Sequence, residues 1–179
     1  MVATTNPATQ KLIISHIRTN ECVRGFSCGV REIDRWAREK AFKRHEKGRS
    51  RVFIARDNDA PPTLGFYALS FSLENSSKLH RADDRDAWPS GAPLIYIDYL
   101  AVQKVRQEAG LGTLLLMNAL ERAHRVSKDV AFYGVALRSL NERTTKLYKK
   151  YGFGMAPKEG ANPLMILPIW SINDLFGAA

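Results

Sequence analysis

Only two cysteines, Cys22 and Cys28, occur in the 179 residues. They are too few for a disulfide framework, and no CxxC pair or histidine cluster has ligand spacing, so reduced thiols and no metal are expected. Long hydrophobic runs are also lacking. The longest, "LIYIDYLAV" and "LMILPIW", fall well short of the roughly 20 residues that span a bilayer, and the polar start "MVATTNPATQ" has no signal-peptide core. A cytoplasmic protein with no membrane partner is expected. The Gly-Lys-Ser/Thr ending of a Walker loop and the G-x-G-x-x-G of a dinucleotide fold are absent too. His16, His45, His80 and His124 share no motif and are expected to be ordinary surface or core residues.

A hydrophobic fraction of 45% is enough to bury a core, but the length is short for two ordinary domains. One domain over residues 11–179 is expected, preceded by a flexible arm over 1–10. The formal net charge is +9, which favours a polyanionic partner such as nucleic acid. The excess is local: Arg31 to Arg51 holds nine Lys or Arg against four acids, whereas "RADDRD" is balanced.

"KLIISHI" predicts a first strand. Val30, Ile33, Trp36, Ala37 and Ala41 recur at helical spacing and predict a helix over about 30–47, with Arg31, Arg35 and Arg38 on another face and Gly48 as its stop. "SRVFIA" and "LGFYALSFSLE" predict a hairpin. "NSSKLHRADDRDAWPSGAP" predicts a long loop, and "LIYIDYLAV" a central strand buried on both faces. A helix follows over about 111–126, with Leu115, Leu116, Ala119, Leu120 and Ala123 inward. Then come a strand in "DVAFYGVAL", a helix in "NERTTKLYKKY" and a closing strand in "PLMILPIW". Strands and helices alternate after a hairpin, which predicts a mixed α/β sheet.

"QEAGLG", Gln107 to Gly112, has the form Q-x-x-G-x-G and lies between the best strand and a helix that starts at its second glycine. First-turn N–H groups have no intrahelical partner and the dipole end is positive, so such a turn can seat a diphosphate on backbone alone. By itself the signal is weak, and a structural turn is the favoured reading. Gln107, Gly110 and Gly112 are followed by Asn141, by Tyr148 seven residues later, and by Gly152 and Phe153. In that order and spacing the segment from Ile95 to Phe153 resembles the GNAT superfamily of acetyl-CoA-dependent N-acetyltransferases. The N-terminal "FSCGVREIDRWAREKAFKRHEKGRSRVFIA" is similar to the opening of the GNAT toxins that acetylate the α-amino group of aminoacyl-tRNA. The chain departs from that subgroup in having "QEAG" where "QGRG" is usual and "IDYLAV" where "GRLAV" is usual.

The resemblance implies a mixed α+β GNAT fold, with mostly antiparallel N-terminal strands and a central splayed sheet flanked by helices. It also implies acetyl-CoA as donor, seated by Gln107, Glu108, Ala109, Gly110, Leu111, Gly112 and Thr113. The backbone of Leu100, Ala101 and Val102 would hold the acetyl carbonyl, and Asn141 the pantetheine arm. Tyr148 is implied as the general acid for the departing thiolate, the bland alternative being a core aromatic packed with Leu147, Tyr151 and Phe153. Asn141 also reads as a helix N-cap. Asp98, on one strand face with Tyr96 and Leu100, is either a general base or a structural carboxylate paired with a cation. Arg31, Arg35, Arg38, Lys43, Arg44, Lys47, Arg49 and Arg51 are candidates for tRNA phosphates, against a plain solvated face.

The implied partners are aminoacyl-tRNA, a ribbon-helix-helix antitoxin and a second copy in a homodimer. An acetyltransferase for a small-molecule or protein amine is the alternative. A non-catalytic CoA-binding protein is disfavoured by the intact Gln107, Gly110, Gly112, Asn141 and Tyr148 set.

Overall fold

The computed structural model describes residues 11–157 and 159–177. The arm expected over residues 1–10 lies outside them. Hydrogen-bonded strands follow the order Leu12–His16, Arg51–Asp57, Gly65–Glu74, Ala92–Val102, Gly134–Arg138, Leu164–Pro168, Gly154–Met155. The described chain forms two compact units. The first runs up to Phe66 and includes Ala101–Gly112; the second comprises Tyr67–Leu100 and the chain from Thr113 onward. Among the described residues no helix is long and apolar enough to cross a membrane.

In the first unit β1 (Leu12–His16) pairs antiparallel with β2 (Arg51–Asp57), Leu12 opposite Asp57 and His16 opposite Phe53. Val52 to Ala55 are all buried, so β2 is apolar on both faces rather than alternating. Between the strands the expected helix forms as α1 (Arg31–Trp36), a π-helical turn (Ala37–Ala41) and α2 (Phe42–Glu46). Trp36 lies parallel to Phe66 with ring centroids 5.9 Å apart, and Phe66 meets Phe26 edge-on at 5.0 Å, a geometry that aromatic quadrupoles favour. Buried Ala37 and Ala41 leave room for the widened turn. Gly48, at φ +67°, takes the left-handed turn that ends the helix.

The second unit holds most of β3 (Gly65–Glu74) and β4 (Ala92–Val102), with α3 (Ala82–Ala87), α4 (Leu111–Val126), β5 (Gly134–Arg138), α5 (Glu142–Lys150), β6 (Gly154–Met155), β7 (Leu164–Pro168) and α6 (Ile169–Phe176). β4 is the middle strand of the order. It runs parallel to β5 through Leu94–Gly134, Ile95–Val135 and Tyr96–Ala136. That ladder stops at Tyr96 although both strands continue, which is the splay expected of the sheet. β7 is antiparallel to β5 and to β6. Leu115, Leu116, Ala119, Leu120 and Ala123 of α4 are buried as the spacing predicts. A second cluster packs Leu79, Leu94, Tyr133, Ala136, Leu164 and Ile166.

Three expectations are corrected. The loop before β4 contains a 3-10 turn (Ser76–Lys78) and α3. α3 is too short and too charged for periodicity to reveal, but Asp83 and Asp84 in its first turn suit the positive helix end, and Asp84 accepts a hydrogen bond from the Tyr133 hydroxyl at 2.9 Å. β5 begins only at Gly134, because the turn that closes α4 takes up Asp129 and Val130, whose N–H groups donate to the Val126 carbonyl. The last strand stops at Pro168, the N-cap of α6, so Ile169 and Trp170 are helical.

Glu159, its side chain 7% exposed, takes hydrogen bonds from Lys78 Nζ (2.6 Å), Arg138 (2.8 Å) and the Leu164 N–H (3.2 Å). The Lys78 bond above all, with the Arg138 bond, outweighs the cost of burial and holds its carboxyl at about 2. A lowered folded pKa gives stability that is complete above the unfolded value and lost as pH falls through the folded one. Glu159→Gln is therefore expected to lower the unfolding free energy by about 1–3 kcal/mol at neutral pH. The gap should close as pH falls from 4.5 toward about 2. Urea titrations at stepped pH measure this, and a gap unchanged across that window would speak against the ion pairs.

Candidate active site

The glycine turn belongs to the first unit. After β4 the chain makes a 3-10 turn at Lys104–Arg106 and reaches α4 through Gln107 to Gly110. Gly110 has φ +81°, and nothing lies within 4 Å of where its Cβ would stand. The Gly110 position is thus unobstructed just ahead of a 16-residue helix, and a helix N-terminus is where a diphosphate can be held by free N–H groups. Glu108 has φ +68°, a left-handed conformation that costs a non-glycine residue on the order of 1 kcal/mol. It stands where the toxin subgroup usually has glycine. Ala109 and Gly110 are exposed, while Leu111 is buried and anchors the first helical turn.

The Gln107 side chain does not point to solvent with free donors. Its Nε2 donates to the carbonyls of Cys28 (2.8 Å) and Val102 (3.1 Å), so both amide protons hold backbone. Gln103 Oε1 accepts from the Ser27 N–H at 2.9 Å, and the Lys104 N–H donates to the Ser27 carbonyl at 2.9 Å. Behind this loop lies Asp34, 6% exposed, which accepts from Cys28 N (2.7 Å) and Ser27 Oγ (2.8 Å). Burial would raise its carboxyl, but the Cys28 and Ser27 bonds outweigh that and keep it below the usual range. The Cys28 thiol is pushed up to about 11, by burial first and then by the nearby Asp34 carboxylate, so it stays protonated. Sequence reasoning did not single out Ser27, Asp34 or Gln103. The signal available was a carboxylate at position 34 within the stripe Val30, Ala37, Ala41.

In the second unit Asn141 is the N-cap of α5. Its Oδ1 accepts from Thr144 N at 3.0 Å, and Thr144 Oγ1 accepts from Asn141 N at 3.1 Å, a capping box. Seven residues on, Tyr148 lies on nearly the same helix face, since seven steps of about 100° come within about 20° of two turns. Its ring is 8% exposed and tilts against Phe153 at 5.8 Å. Burial alone pushes its hydroxyl up to about 12, so the proton is retained at neutral pH. Packing and a proton-bearing hydroxyl therefore coexist in one residue. Thr113 Oγ1 receives a hydrogen bond from the Tyr151 hydroxyl at 3.3 Å. Asp98 is half-buried on β4 and accepts from Ser70 Oγ at 2.8 Å.

The basic positions remain on the surface of the first unit. Arg31, Arg35, Arg38, Lys43, Lys47, Arg49 and Arg51 are exposed and Arg44 is half-buried. Arg38 reaches the Phe26 carbonyl, Arg44 the Ser50 hydroxyl and Arg51 the His45 carbonyl. None of the eight pairs with a carboxylate among the described residues.

Removing the Asn141 cap is expected to lower stability by about 1 kcal/mol in Asn141→Ala, whereas Asn141→Asp, which can still accept from Thr144, should stay near wild type. Urea midpoints of the two variants decide it, and equal losses would deny the capping role.

Known proteins of one family resemble this chain. A model of the acetyltransferase (GNAT) family matches residues 20–153. A tRNA-acetylating toxin of Mycobacterium tuberculosis is 28% identical over 147 residues, covering 81% of this chain and 86% of that protein. A probable toxin, TacT, of Sinorhizobium fredii is 28% identical over 182 residues, covering 96% and 99%. A crystal structure of a tyrosine-to-phenylalanine mutant of KacT superposes with a TM-score of 0.84 at 28% identity, covering 93% of this chain and all of that one. With a match that takes in both the Gln107–Gly112 turn and the Asn141–Phe153 segment, the chain belongs to the acetyltransferase (GNAT) family.

Proposed function

We propose that this enzyme transfers acetyl from acetyl-CoA to the α-amino group of aminoacyl-tRNA and so blocks translation, as the toxin of a toxin-antitoxin pair. The observation that carries the substrate is the cationic face: Arg31, Arg35, Arg38, Lys43, Arg44, Lys47, Arg49 and Arg51 form no ion pair among the described residues. Unneutralised cations gathered on one helix and the start of β2 suit a phosphate backbone. The relatives named as toxins, one of them tRNA-acetylating, support the same acceptor. The chain from 11 to 179 then works as one acetyltransferase domain. A homodimer, a ribbon-helix-helix antitoxin and a cytoplasmic location, where charged tRNA is found, complete the reading.

Acetyl-CoA, when bound, supplies an acetyl thioester whose carbon the amine nitrogen attacks as the C–S bond breaks. Backbone of Glu108, Ala109, Gly110, Leu111, Gly112 and Thr113, ahead of and within the first turn of α4, would hold the pyrophosphate, with Gln107 fixing the turn rather than touching it. Backbone N–H groups of Leu100, Ala101 and Val102 would hold the acetyl oxygen, and Asn141 the pantetheine arm. Tyr148, protonated at neutral pH, would give its hydroxyl proton to the departing sulfur and regain one from solvent. The amine's own proton leaves to solvent. An α-amino group has an ordinary pKa of about 7.7–8.0 and is substantially neutral without help.

One observation favours the alternative acceptor, a small-molecule or protein amine. The half-buried Asp98 carboxylate on β4 would serve as the base that a lysine-like amine, with a pKa near about 10.4, requires.

Labelled acetyl from acetyl-CoA is expected on total charged tRNA and not on uncharged tRNA, with Tyr148→Phe lowering kcat by roughly 100-fold or more. Label on a small amine while the charged pool stays blank would overturn the tRNA reading. Binding to charged tRNA should also weaken steeply with salt. The log–log slope should shrink by about 1 for each phosphate-contacting residue removed in Arg31→Ala, Arg35→Ala and Lys43→Ala. A salt-independent affinity would leave these residues as solvated surface.

A further inference from the structure

The geometry points to Asp34 as a positioning residue for the acetyl-CoA turn, acting from within the basic helix without touching the donor; the inference rests on the reading of Gln107–Gly112 as the pyrophosphate seat. Asp34 stands in the first turns of α1, where its own N–H donates to the Val30 carbonyl at 2.9 Å. Its carboxylate faces back toward the chain that precedes the helix. There it collects Cys28 N at 2.7 Å and Ser27 Oγ at 2.8 Å, which fixes the Ser27–Cys28 peptide with its neighbouring carbonyls turned the other way.

Those carbonyls are what the turn hangs on. The Ser27 carbonyl takes the Lys104 N–H, and the Cys28 carbonyl takes one Gln107 amide proton, while the Ser27 N–H goes to Gln103 Oε1. Gln107 spends its other proton on the Val102 carbonyl at the end of β4. A continuous chain of hydrogen bonds thus runs from Asp34 through Ser27 and Cys28 to Gln103, Lys104 and Gln107, the residues immediately before Glu108 and Gly110. The following turn holds Glu108 at φ +68° and Gly110 at φ +81°, and left-handed residues in sequence persist only where the surroundings over-determine them. A carboxylate is needed at the start of the chain because it accepts from both Ser27 and Cys28 without offering a donor of its own. An asparagine in its place can still accept from the Cys28 N–H, but its NH2 group meets Ser27 Oγ, whose hydroxyl must turn its own proton away and accept, so two charge-assisted bonds become weaker neutral ones.

Asp34→Asn is expected to raise the Kd for CoA, measured calorimetrically, about tenfold. The KM for acetyl-CoA should rise in parallel, with kcat and the acceptor KM within about twofold of wild type. Gln107→Ala should weaken CoA binding similarly. Because both act through one chain of bonds, the Asp34→Asn, Gln107→Ala double variant should bind no more weakly than the weaker single variant. Ser27→Ala, which keeps the carboxylate, should weaken CoA roughly threefold and serves the same test if Asp34→Asn does not fold. Unchanged CoA affinity in a folded variant, effects that multiply in the double variant, or a fall in kcat alone would overturn the assignment. If wild-type protein binds no CoA, the acetyltransferase reading falls and takes this one with it. If wild type binds and the variants bind equally, only the role of Asp34 is lost.

Discussion

A few hydrogen bonds to the backbone tie separate segments together around the glycine turn, and the local structure depends on them. The carbonyls of Cys28 and Val102 come from segments far apart in sequence, and one side-chain amide, Gln107, satisfies both. Had Gln107 reached for a phosphate, those two carbonyls would need other donors. The glutamine of the family's marker is therefore a strut here, tying the Cys28 and Val102 carbonyls together. Glycine at 110 follows from the φ of +81° that this route requires.

The same accounting explains the second unit's contribution. Asn141 occupies its side chain in capping α5, and Thr144 returns the bond, so the helix that carries Tyr148 starts at a defined residue. Tyr148 is held at its own carbonyl by the N–H groups of Tyr151 and Phe153. Its hydroxyl meets no hydrogen-bonding partner among the described residues, and burial is the cause of its raised pKa. The side chain thus serves packing and still carries an uncommitted proton. β4 adds a further asymmetry, because its parallel ladder to β5 ends at Tyr96 while the strand runs on to Val102.

Charge is distributed by the same economy. Arg18, Arg56 and Arg106 of the first unit find carboxylates in Asp57 or Asp59. The nine basic residues from Arg31 to Arg51 do not among the described residues, and of the four acids among them Asp34 is turned inward to the Ser27–Cys28 loop. Turning that carboxylate inward stabilises the loop and at the same time leaves the outer face more positive. Exposed ion pairs contribute little to stability, so a face of unpaired cations costs the fold little and remains available to a polyanion.

Periodicity and short-range chemistry made the helices over 31–46, 111–126 and 142–150 legible, with the strands β1, β2, β4 and the inward set of α4, because each expresses a local preference of its own residues. Gly48, Gly110 and Asn141 were legible for the same reason: a left-handed turn and an N-cap are decided within a few residues. Six-residue α3, the late start of β5 and the switch from strand to helix at Pro168 were not, since each depends on partners remote in sequence, such as Tyr133 for Asp84. The order and spacing of Gln107, Gly110, Gly112, Asn141 and Tyr148 by themselves pointed to the family. Only the tertiary structure decided which groups Gln107 and Asp34 bind, because a hydrogen-bond donor or a buried carboxylate takes its partners from the groups that folding brings to it.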